Sequence, residues 1–92
     1  MDTQRAYADT DTSLTVWLRN EAGRTDFTGQ ELSVALYAYG VPGVLVRYDA
    51  NGNDAGAVTW TVPANGGYGP GLFRYSVEAD GAHVGGGLLE IV

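Results

Sequence analysis

From Ser13 onward, apolar and polar residues alternate with a period of two, the spacing of strands with one buried and one solvated face. In Ser13–Arg19, Leu14, Val16 and Leu18 share a face opposite Thr15, Trp17 and Arg19. Glu31–Tyr39 sets Leu32, Val34 and Leu36 against Ser33, Ala35, Tyr37 and Tyr39. Val44–Tyr48 reads as a short strand. Ala57–Val62 sets Val58, Trp60 and Val62 against Thr59 and Thr61, and Leu72–Ala79 sets Phe73, Tyr75 and Val77 against Arg74, Ser76 and Glu78. Ala82–Val92 closes the chain. Turn formers separate these runs at Asn20–Gly23, Asp26–Gly29, Gly40–Gly43, Asp49–Gly56 and Ala64–Gly71, and Asp80–Gly81 is a two-residue hairpin signal. No stretch of useful length has helical periodicity. The pattern predicts an all-β antiparallel sandwich of six strands, or seven if the N-terminus joins. Its core is expected to hold Leu14, Val16, Leu32, Val34, Leu36, Val58, Trp60, Phe73, Tyr75 and Val77.

Residues 1–12 are polar and acidic, with Ala6, Tyr7 and Ala8 as the main apolar material, and are consistent with an edge strand, a short helix or an extended arm. The rest, 13–92, forms one domain. The last hairpin permits a finer expectation. An Asp80–Gly81 turn pairs Ala79 with Ala82, Glu78 with His83, Val77 with Val84, and Tyr75 with Gly86, leaving glycine beneath the Tyr75 and Arg74 side chains. Strict alternation then sends Leu89 and Ile91 outward and Glu90 inward; a one-residue bulge within Gly85–Gly87 reverses this and is expected.

Composition narrows the function. The chain has 92 residues, no cysteine and no lysine; five arginines against eleven acids give a net charge of −6. Disulfides, thiolate metal sites and a cysteine nucleophile are therefore excluded, and scattered arginines on an acidic domain argue against nucleic-acid binding. No apolar run reaches the length of a membrane span, and the N-terminus lacks the blocks of a signal peptide, so a non-exported chain is expected unless export follows another route.

The candidate chemistry is sparse. His83 is the single histidine, and beside Ser76 and Glu78 it reads as half of a solvated Glu78–His83 ion pair rather than a catalytic group. Asp49, Asn51 and Asn53 match the opening of a calcium loop, but Trp60 stands where the closing glutamate belongs, so a plain turn is expected and no metal. The glycine clusters Gly66–Gly71 and Gly85–Gly87 precede no helix and offer no phosphate cradle. No cofactor is expected. Trp17, Tyr37 and Tyr39 fall on faces that should be wet, where aromatics mark a partner surface or a sugar platform, or are covered by the N-terminal segment or a loop.

Three stretches carry a resemblance: the Asp26–Gly29 step after an alternating strand (TSLTVWLRNEAGRTDFTG), Gly56–Val62 (GAVTWTV), and Gly71–Val77 within GYGPGLFRYSVEADG, ahead of the closing GGGLLEIV. Over Asp11–Val92 the chain resembles the immunoglobulin-like domains of tailed bacteriophages, typified by the N-terminal domain of the siphophage baseplate upper protein. The resemblance implies an immunoglobulin-like sandwich and a non-enzymatic role in the virion, assembled in the host cytoplasm. The implied placements are a capsid decoration (cement) protein or a tail or baseplate adaptor. The partners it implies are capsid or tail subunits, met in many copies, with a homo-oligomer such as a trimer among the forms it allows. No receptor-binding segment follows the last strand, so a stand-alone virion part is expected. Arg5, Tyr7, Trp17, Tyr37 and Tyr39 are the expected partner-binding residues, with residues 1–12 a mobile arm that orders against a neighbouring subunit. The rival reading is a small carbohydrate-binding or adhesion module using Trp17, Tyr37 and Tyr39 as a platform.

Overall fold

The turn at Asp80–Gly81 fixes the first strand pair. Asp80 and Gly81 both have positive φ, 50° and 85°, the mirror-image turn whose twist matches two antiparallel strands. The computed structural model of the chain describes residues 3–18, 26–64 and 70–92. Within them are seven strands: β1 (Thr3–Ala6), β2 (Thr12–Trp17), β3 (Leu32–Ala38), β4 (Val46–Gly52), β5 (Ala57–Val62), β6 (Gly71–Ala79) and β7 (Ala82–Ile91). They form one sheet in the order β1-β7-β6-β3-β4-β5-β2, and there is no helix among the described residues. The end strands β1 and β2 follow one another in the chain and come close, so the sheet wraps nearly into a barrel. The expected turn at 20–23 and most of the second glycine-rich loop lie outside the described residues.

The all-β expectation holds. Every residue of the predicted core is buried, joined by Phe27, Val62, Leu89, Ile91 and Ala6. Trp60 and Tyr75 meet at its centre with ring centroids 5.1 Å apart, a tilted contact that adds to the burial of both rings.

Four corrections follow from the pairing. First, the sheet is not wholly antiparallel, because β1 runs parallel to β7, with Thr3 opposite Leu88 and Ala6 opposite Ile91. Second, of the forms expected for the start of the chain it takes the edge strand, β1, and not the mobile arm. Main-chain bonds from Ala8 N–H to Val92 O and from Val92 N–H to Ala6 O tie it to the end of the chain, Ala6 is fully buried, and Arg5 pairs with Glu90 at 2.9 Å. Third, Asp49–Gly56 is a loop only from Asn53. Strand β4 pairs with β3 as far as Ala50, then turns a corner and pairs with β5 through Asn51–Thr59 and Gly52–Val58. Fourth, the bulge lies one residue earlier than expected. Glu78 faces His83 and Val77 faces Gly85, so Val84 is the extra residue. Tyr75 then faces Gly87 rather than Gly86, and Leu89 and Ile91 turn inward as the burial argument required.

The β4 corner depends on Gly52. A Cβ there would lie 2.5 Å from Phe27 Cβ and 2.6 Å from Leu32 Cδ1, both in the core. Phe27 is held in place by its own turn: Asp26 Oδ1 accepts a 2.9 Å bond from Thr28 N–H, and Phe27 N–H donates to Asn53 O. The bond from the Thr28 main chain, with a further one from its side chain, holds the Asp26 carboxyl below the usual carboxylate range. Gly52→Ala is predicted to cost about 1–3 kcal/mol by overpacking. In thermal unfolding that lowers Tm by several degrees, whereas an unchanged Tm would mean that the corner is open.

Candidate functional site

The strand registers arrange the outer face of β1, β7, β6, β3 and β4 into rows of side chains. One row runs Arg5, Glu90, Leu72, Tyr39, and the next Thr3, Leu88, Arg74, Tyr37. The third runs Gly86, Ser76, Ala35, Arg47, and the last His83, Glu78, Ser33, Asp49. The third row begins with three small residues, so a trough crosses the sheet between two walls of larger side chains. Ala35 and Ser76 face outward yet are only 0% and 9% exposed, because their neighbours overhang them.

Gly86 is dictated by the main chain. A Cβ on it would stand 2.4 Å from the Tyr75 carbonyl oxygen, so no other residue fits beside the bulge without moving β6. At that end the trough opens into a hollow of about 300 Å³ lined by Arg74, Tyr75, Ser76, His83, Gly86, Gly87 and Leu88.

The polar groups around the trough sort into three pairs. Ser76 Oγ lies 2.7 Å from His83 Nδ1, a bond that satisfies the buried hydroxyl and fixes the ring. The Glu78 carboxylate binds Arg47 across β3, on the side away from the histidine. This corrects the expected Glu78–His83 ion pair: the two residues are opposite each other, but the stronger cation is on β4. The Arg74 guanidinium lies 4.3 Å from the centre of the Tyr37 ring, a cation–π stack.

The expected partner-binding residues divide. Tyr37, Tyr39 and Arg5 share this face, with Arg5 at its margin on Glu90. Tyr7 lies in the turn between β1 and β2, where its N–H donates to Thr12 Oγ1. Trp17 is 70% exposed on β2 and borders a second hollow of about 290 Å³, with Gln4, Thr15, Val16, Leu18, Tyr75 and Gly86. It stands on β2, and neither Tyr37 nor Tyr39 lines that hollow. Beside Tyr39, the turn into β4 exposes Val41, Val44 and Leu45, and Leu72 adjoins them through the bond from Tyr39 N–H to Leu72 O. The segment Ala38–Val46 has no charged residue.

Sequence reading did not single out Arg74, Leu72 or Val41–Leu45. The Arg74–Tyr37 stack arises from the β3–β6 register, a pairing between residues 37 apart in sequence, for which a single chain has no local signal. Of the calcium-loop residues, Asp49 and Asn51 lie on β4, and Asn53 Oδ1 accepts the N–H groups of Ala55 and Ala57 as a turn cap. Among the described residues, no three acidic or histidine side chains are grouped to hold a metal ion.

No protein-family model matches the chain, and no curated protein does. A solved structure does resemble it: an uncharacterized protein from Bacillus anthracis str. Ames, with a TM-score of 0.56 and 12% sequence identity. The match covers 96% of this chain and 76% of that one. The likeness is one of fold alone.

The Ser76–His83 bond is predicted to stabilise the outer face by about 1 kcal/mol. Ser76→Ala, His83→Ala and the double variant, unfolded in urea, should show a coupling energy of that size. Strictly additive losses would show the two side chains to be independent.

Proposed function

We propose that this chain is a non-enzymatic assembly domain that binds other protein subunits through the outer face of β3 and β6. The observation that carries the reading is the continuous exposed strip of Tyr39, Leu72, Val41, Val44 and Leu45 beside the Tyr37–Arg74 stack. Tyrosine and arginine are the side chains over-represented at interface hot spots, and an uncharged strip on a chain of net charge −6 is where contact meets least repulsion. Its setting, on this reading, is a tailed-phage particle, as a capsid decoration protein or a tail or baseplate adaptor. That placement rests on the sequence resemblance around Asp26–Gly29, Gly56–Val62 and Gly71–Val77. The finer description of the fold as immunoglobulin-like rests on the same resemblance, with β7, β6 and β3 as one layer and β5 and β2 as the other.

Two features favour assembly over the alternatives. Catalysis by Ser76 and His83 would need a group to orient the ring from its far side, and the nearby Glu78 is engaged by Arg47. A carbohydrate-binding or adhesion module would need stacked, open rings; Trp17 stands apart from the tyrosines, and Arg74 covers one face of Tyr37.

Adding purified chain to phage particles that lack it tests the reading. The wild-type chain should bind in many copies, and a Tyr39→Asp/Leu72→Asp double variant should bind at least tenfold fewer. Equal occupancy by the two would remove this strip from the interface. Absence of binding by the wild type would remove the virion setting.

A further inference from the structure

We infer that the hollow at the Gly86 end of the trough is a binding site for a monoanionic carboxylate carried on a small apolar or aromatic body. Among the described residues, Arg5 faces Glu90 and Arg47 faces Glu78, whereas Arg74 forms no ion pair with a described carboxylate. It is held instead on the Tyr37 ring, which orients the guanidinium without neutralising it. A planar guanidinium fixed in this way presents paired donors that match the two oxygens of a carboxylate.

The opposite wall is the Ser76–His83 pair, whose 2.7 Å bond fixes the imidazole at the rim of the hollow. Between the walls, Gly86 and Gly87 leave the floor without side chains, and Leu88 contributes apolar surface. At about 300 Å³ the hollow is at the lower end of the range for small-ligand sites, roughly 300–1,000 Å³. Arg74 is the one arginine among the described residues that line the hollow, and on a chain of net charge −6 it suits a single negative charge, whereas a phosphate dianion would meet the field of the acids with too few cations to offset it. The inference is independent of the virion reading.

The test is a titration of the isotopically labelled protein, followed by amide NMR, with three probes: benzoate, N-acetyl-aspartate methylamide, and benzamide as the uncharged isostere of benzoate. Saturable shifts confined to residues 74–76 and 83–88 are expected from a carboxylate and not from benzamide. Arg74→Gln should weaken the carboxylate at least tenfold. A response to benzoate alone assigns the site to a small molecule; a response to the aspartate derivative extends it to an acidic side chain of a partner. Absence of saturable shifts from both carboxylates overturns the inference. So does an equal response to benzamide, or unchanged affinity in a folded Arg74→Gln variant. If that variant does not fold, the comparison of benzoate with benzamide on the wild type decides alone.

Discussion

The outer surface of this domain depends on one extra residue, Val84. The Asp80–Gly81 turn fixes the pairing of Ala79 with Ala82 and of Glu78 with His83, and an unbroken ladder from there would turn Leu89 and Ile91 to solvent. Burying two such side chains is worth about 1.5–3 kcal/mol each, whereas a disrupted ladder bond costs only about 0.5–1.5 kcal/mol. The bulge therefore wins, and the three glycines after it accommodate the added twist. The same shift places Gly86 beside Ser76 and Gly87 over the Tyr75 ring. Core closure and the choice of Gly86 as the end of the trough on the opposite face are thus two consequences of one insertion.

A second constraint acts on the other half of the sheet. Strand β4 serves both halves, and it turns between them where a side chain would collide with Phe27 and Leu32. Phe27 fills the inside of that corner, and Leu18 occupies the space that the absent Gly85 side chain leaves across the seam. Glycines here are packing devices in which a large neighbour supplies the missing volume. This is how a cysteine-free chain of 92 residues closes a core without covalent links.

Strand alternation made the core legible, since Leu14 through Val77 each carry their own local signal of period two. Phe27 and Ala6 escaped because neither belongs to an alternating run: one sits in a turn and the other in a four-residue edge strand. The bulge was legible as a necessity, from the outward fate of Leu89 and Ile91, but its position was not, because Val84 and the following glycines all tolerate it. The polar face was the least legible. Glu78 and His83 are opposite each other, as their spacing requires, yet the carboxylate turns to Arg47, whose position depends on the β3–β4 register. The division of the aromatics into Tyr37 and Tyr39 on one surface and Trp17 on another likewise follows from strand order, which a single sequence does not encode locally.

The most direct measurement of the account is the pattern of cross-strand proton contacts between β6 and β7 in solution. The bulge places Val77 opposite Gly85 and Ser76 opposite Gly86, so nuclear Overhauser contacts should link those pairs and leave Val84 without a partner on β6. Contacts from Val77 to Val84 and from Ser76 to Gly85 would instead show an unbroken ladder. In that register Leu89 and Ile91 would lie outside, Gly85 rather than Gly86 would stand at the end of the trough, and the central claim would be wrong.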